Sequence, residues 1–154
     1  MGKQQRQILT NFAVVITITI LAAVGMVEMK NRVNHLESMR AMEQLGRIVS
    51  EYKQKNGSVP PESYVDELRE SLEGQVRLGH LYYRARWIEF GSPPDKILAY
   101  AIKGYHSLLT HPGAIVLRLD GRVEWMDKES FEKVLVRQQS PLEREMSPES
   151  PPAR

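Results

Sequence analysis

From Ile8 to Val27 twenty consecutive residues carry no charge. At about 1.5 Å per residue such a run spans the roughly 30 Å hydrocarbon core of a bilayer, so it predicts a membrane helix. Thr10, Thr17 and Thr19 fit this helix because a Thr hydroxyl donates back to a carbonyl one turn earlier, and Asn11 lies near the interface. Beyond Val27 no Gly or Pro intervenes until Gly46, and Val33, Leu36, Ala41, Leu45, Ile48 and Tyr52 recur at near-helical spacing. One continuous helix from about Leu9 to Lys55 is predicted, with its lower half in lipid and its upper half amphipathic. The gap between Leu36 and Ala41 is too irregular for sustained heptads, so the upper half is expected to dock on its own domain rather than form a coiled coil.

Asn56-Gly57 is a helix stop, and Ser58-Val59-Pro60-Pro61 cannot continue a helix because its prolines lack amide hydrogens. A short second helix is predicted from Pro61 or Glu62, with Tyr64 or Val65, Leu68 and Leu72 as its stripe and Gly74 as its end. After Gly74 the pattern changes to strands. Leu81 to Phe90 alternates around Tyr83, Ala85 and Trp87 until Gly91-Ser92-Pro93-Pro94 breaks it, and Ile97 to Ile102 reads as a buried strand. Ala114 to Leu119, Asp120-Gly121 and Arg122 to Met126 form the strongest hairpin signal, with a two-residue primed turn in which both central residues need positive φ. Asp127 is placed to cap a last helix that buries Phe131, Val134 and Leu135. The aromatic residues Trp87, Trp125, Tyr82, Tyr83 and Tyr100 are expected to pack beneath the long helix. From Ser140 onward four prolines and few apolar residues predict disorder. The organisation is thus a basic flank (1–7), a transmembrane helix (8–27), one small α+β domain (28–139) and a loose tail (140–154).

Composition narrows the function. There is no cysteine among the 154 residues, which removes disulfides, thiolate zinc sites and cysteine nucleophiles. The net charge is +2, and Lys3 and Arg6 alone supply that much, so the domain is near neutral and nucleic acid is not an expected partner. A cleaved signal peptide, with Ala23 and Gly25 at the −3 and −1 positions, is the competing reading of the apolar run, but the run is longer than the roughly 7–15 residues of a signal core. The absence of acids in the N-terminal flank favours a cytoplasmic N-terminus and a domain on the far side.

Candidate chemistry is sparse. His106 and His111 near Asp120 fall short of the three or four ligands a zinc site needs. Asp120 is accounted for by turn chemistry and Glu124 by the solvent face of an alternating strand, so the pair is not expected to act as catalytic acids. Ser107 with His111 has no orienting acid or nucleophile elbow. The loops Gly91 to Lys96 and Tyr105 to Gly113 lack the clustered oxygens of a calcium site, and no Gly-rich phosphate loop is present. No metal, cofactor or catalytic residue is expected.

A short basic N-terminus, a membrane helix running into an amphipathic helix, then Tyr52, Gly57 and Pro60, then a small sheet: this order of parts resembles the type IV pilins and type II secretion pseudopilins. The resemblance implies a long N-terminal helix carrying a small antiparallel sheet. HPGAIVLRLDGRVEWM (His111 to Met126) is similar to the C-terminal motif of pilin-like proteins abundant in planctomycete-type bacteria, through His111, Gly113, Val116, Leu117, Asp120, Gly121, Val123 and Trp125. Eight residues rather than that motif's usual nine separate His111 from Asp120, and Arg122 stands where a His is usual. At the N-terminus no acid lies in the first 27 residues, so the Glu that pairs neighbouring pilin subunits has no counterpart, and Gly2 is not followed by a peptidase-type segment.

The resemblance implies a non-enzymatic subunit of a type II secretion or type IV pilus-like assembly in the inner membrane. Its partners would be the lipid bilayer and other pilin-like subunits or secretion components. Val14, Ile18, Leu21, Ala41 and Leu45 are the expected assembly residues. The alternative is a membrane-tethered extracytoplasmic binding module that does not polymerise and uses the loops at Gly91 to Lys96 and Tyr105 to Gly113.

Overall fold

A computed structural model describes residues 2–72, 75–89, 91–104 and 111–146. Helix α1 runs unbroken over Lys3–Asn56 and stops at Gly57, whose φ of 74° is open to glycine without strain and whose amide donates to the Lys53 carbonyl at 2.8 Å. Every residue from Gln4 to Ala23 is exposed, so the lower half packs against nothing else among the described residues. The upper half docks. Ser38, Ala41, Met42, Leu45 and Val49 are buried, and Gly46 lets the helix approach so closely that an added Cβ would meet Leu117 Cδ1 at 3.0 Å. Val33 and Leu36, expected in this same stripe, are 45% and 56% exposed on the other side of α1. The predicted stripe had joined two faces of the helix into one.

Pro61 precedes α2 (Glu62–Arg69), which buries Val65, and the following turn buries Leu72. Where strands were expected after Gly74, the chain forms a short helix, α3 (Gln75–Leu78), held by α1. The Ser38 hydroxyl donates to the Arg77 carbonyl at 2.7 Å, and Arg77 pairs with Glu37 at 3.1 Å. The predicted strand from Leu81 to Phe90 shrinks to β1 (Tyr82–Tyr83) followed by a 3-10 turn over Ala85–Trp87; Phe90 lies outside the described residues. Alternation fails because Arg84 turns inward and is 3% exposed.

The strands β2 (Ile97–Lys103), β3 (Gly113–Arg118) and β4 (Val123–Asp127) complete an antiparallel sheet in the order β1-β2-β3-β4. Register shifts between Ile97 and Ala99, so Leu98 is an extra residue that faces α1 while Ile97 faces away. The α1 face carries the rows Tyr83–Ala99–Leu117–Val123 and Ala101–Ile115–Trp125. The other face is not open to water. Helix α4 (Lys128–Gln138) covers it with Phe131 and Leu135, and its N-cap Asp127 accepts from the Ser130 amide at 3.0 Å. Tyr82 and Tyr100 therefore pack here, stacked at 4.9 Å and with Tyr100 against Phe131, rather than beneath the long helix.

Two further expectations change. The hairpin turn is a three-residue loop, because only Gly121 has positive φ (88°); its amide donates to the Arg118 carbonyl at 3.0 Å, the pattern of a type I turn followed by a bulge. The start of the expected disordered tail folds into α5 (Pro141–Met146), which extends the folded unit past Gln139; residues 147–154 lie outside the described residues.

Candidate functional site

The positions that carry the pilin resemblance sit at two ends of the domain. At the far end of α1 the ring of Tyr52 lies 5.0 Å from that of Tyr64, Gly57 ends the helix, and buried Pro60 offers its carbonyl to the Tyr83 hydroxyl at 2.9 Å. These residues turn the chain and fix it to the sheet. Burial pushes the Tyr83 hydroxyl pKa upward, so it stays a neutral donor.

At the near end, Gly113 is required by packing. A Cβ there would collide with the Trp125 ring and the Met126 carbonyl. Trp125 in turn meets His35 of α1 edge to face at 4.9 Å. Lys103, at the end of β2, donates to the Leu78 carbonyl at 2.8 Å and to the Arg77 carbonyl. Burial pulls the Lys103 pKa down to about 8, and burial together with the Lys103 charge lowers that of His35. His35, Lys103 and Trp125 thus form a joint locking α1, α3 and the sheet together.

His111 lies exposed just before β3, whereas Asp120 lies at the opposite end of that strand, so the two are not brought together. His106 and Ser107, with the rest of Tyr105 to Thr110, lie outside the described residues. Asp120 accepts from the Arg122 amide at 3.0 Å and pairs with its guanidinium at 2.6 Å; although burial pushes its pKa up, these bonds outweigh that and hold it down. Glu124 is paired with Arg118 on the same sheet face as Val116, and its side chain stays 41% exposed at the rim of that face. Val123 packs against the core under α1. Among the described residues no three His, Asp or Glu side chains gather as metal ligands.

Of the expected assembly residues, Val14, Ile18 and Leu21 are exposed. Ala41 and Leu45 are not available. Both are completely buried against the chain's own sheet, so they hold the fold and cannot contact another subunit.

The buried pair Arg84 and Glu143 escaped the sequence reading. Arg84 donates to Glu143 through Nε at 2.6 Å and Nη2 at 3.0 Å, and through Nη1 to the Ile97 carbonyl at 2.8 Å. Both side chains are almost fully enclosed. The local signal for α5 was the run Ser140-Pro141-Leu142-Glu143, a capping residue followed by Pro at the first helical position; the Ser140 hydroxyl accepts from the Glu143 amide at 3.1 Å. At the end of the domain far from the apolar half of α1, a cleft of about 350 Å³ opens between Lys53, Val59, Ile88, Gly91 and Leu119.

Comparison with known protein families, with curated proteins and with solved structures finds no match. The architecture itself defines an α+β protein in which a long N-terminal helix packs on a small antiparallel sheet, pilin-like in shape. That helix is long and apolar enough over its first half to cross a membrane.

Proposed function

We propose that the chain is a membrane-anchored, pseudopilin-like structural subunit of a type II secretion or type IV pilus-like assembly. It would sit once in the inner membrane with its N-terminus cytoplasmic and its domain extracytoplasmic. The supporting observation is the division of α1: one face of its upper half is buried under the sheet, while Val14, Ile18 and Leu21 project from a half in which every residue from Gln4 to Ala23 is exposed. A lipid-held helix of that kind can exchange lipid for neighbouring helices without disturbing the domain. No catalytic residue takes part. Lacking an acid in its first 27 residues, the chain would enter such an assembly without the usual Glu pairing.

The test places a photo-activatable cross-linking side chain at Val14 or at Ile18 in the native membrane and irradiates it. Cross-linked species containing pilin-like partners support the reading; monomer at both positions contradicts it. A second reading, a tethered binding module, is favoured by the cleft at Lys53, Val59, Ile88 and Leu119, which faces away from the anchor.

A further inference from the structure

The apolar residues that the docked face leaves out form a line of their own. Met26, Met29, Val33 and Leu36 follow each other at intervals of three, four and three, the spacing of a two-stranded seam. The same alternation runs back into the apolar segment through Ala22, Thr19, Val15 and Phe12. Met29 is 66% exposed, and Val33 and Leu36 are similarly bare. With about 100° between successive residues, this line lies about 170° around α1 from the centre of the face that carries Ser38, Leu45 and Val49. The docked face therefore points away from it, and among the described residues nothing covers it.

Lipid cannot cover its upper end either. Val33 and Leu36 lie about 9 and 13 Å beyond Val27 along the helix, whereas the headgroup layer adds only roughly 5–7 Å to each side of the hydrocarbon core. Water or protein must meet them. The positions flanking the line favour one partner: in two parallel copies Arg32 of one helix falls opposite Glu37 of the other, the pairing of flanking charges that selects parallel two-stranded coils. Arg32 is exposed and Glu37 remains 40% exposed while it accepts from Arg77. Parallel alignment follows from anchoring, since both copies leave the same membrane on the same side. The next positions along the line are Arg40 and Glu43, which end the apolar contact below the domain.

We infer that the neck of α1 pairs with the neck of a second copy of this chain, through Met26, Met29, Val33 and Leu36, in a short parallel coil continuous with the membrane helices. The inference rests on the membrane-spanning part of the proposed function and not on incorporation into a secretion or pilus-like assembly.

Single cysteines at Met29, Val33 and Leu36, and at Asn31 on the opposite face, are introduced into the full chain in native membranes and oxidised; the protein has no cysteine of its own. Disulfide-linked homodimer at Met29, Val33 and Leu36 with loss of the product at Asn31 is the expected result. Adding Leu36→Glu to Met29→Cys removes the dimer while the domain stays folded, because Leu36 is exposed. Monomer at all seam positions, equal product at Asn31, or dimer that survives Leu36→Glu overturns the inference. Cross-links to pilin-like partners from Val14 and Ile18 with none at the seam would leave the proposed function standing without the dimer. Seam dimers with no such partners would do the reverse.

Discussion

Between Gln4 and Ala23 every side chain of α1 is exposed, whereas between Ser38 and Val49 each turn buries at least one against the sheet. The backbone is one helix throughout. In the upper half, helicity is stabilised by packing an amphipathic face; in the lower half, under the proposed membrane anchoring, it would be stabilised by the absence of water, since lipid leaves backbone groups no partner but each other. Core substitutions should therefore separate the halves sharply, and the domain's own stability should be indifferent to the anchor.

The largest effect is expected outside α1. Glu143→Ala leaves the Arg84 guanidinium enclosed without its partner and should cost about 3–5 kcal/mol in denaturant unfolding of the detergent-solubilised protein. A loss as small as that of a surface ion pair would show that α5 does not close the domain. Next, Leu45→Ala removes a completely buried side chain and should cost about 2–5 kcal/mol. Ile18→Ala in the same helix should stay within about 0.5 kcal/mol in the same measurement. Equal losses at the two positions would erase the distinction between the halves. Gly113→Ala pushes a methyl group against Trp125 and the Met126 carbonyl, which should cost about 1–3 kcal/mol and shift the Trp125 fluorescence.

The smallest effect concerns pH. Burial and Lys103 hold folded His35 below its unfolded value of 6.5, so the folded state takes up its proton less readily. As pH falls through 6.5 the unfolded chain binds the proton first, and stability contributed by neutral His35 is lost on acidification. His35→Gln should flatten that part of the stability profile, read by unfolding at a series of pH values between the unfolded pKa and the lowered folded one. An unchanged slope would remove His35 from the joint.

How much of this was legible depended on how far each residue's partner lies along the chain. β2, β3, β4 and the Asp127 cap were readable because short apolar runs, Asp-Gly and a capping residue are local signals. The strand expected over Leu81 to Phe90 failed at Arg84, whose partner Glu143 lies 59 residues away. The same contact explains α5: Glu143 looks like a solvated acid in a proline-rich tail until Arg84 encloses it. In α1 the apolar spacing was readable but the face was not. Val33 and Leu36 fit a helical stripe as well as Ala41 and Leu45 do, and only the position of the sheet separates the docked residues from the bare ones. The turn was missed at Asp120, which keeps negative φ because a third loop residue, Leu119, carries the bend and is itself buried at 9% exposure. Of the candidate residues, Val14, Ile18 and Leu21 were chosen from apolarity alone and are exposed, while His35 and Lys103 had no pattern to mark them.

The central claim is that α1 lies in lipid in its lower half and against protein in its upper half. It is tested most directly by moving a single cysteine along the helix in native membranes and reading its labelling by a water-soluble maleimide. The account predicts no labelling at Val14, Ile18 and Leu21, where lipid excludes the reagent, strong labelling at exposed Arg40, Arg47 and Lys53, and blocked labelling at Ala41. Labelling at Val14 and Ile18 as rapid as at Lys53 would contradict it, because the lower half would then stand in water.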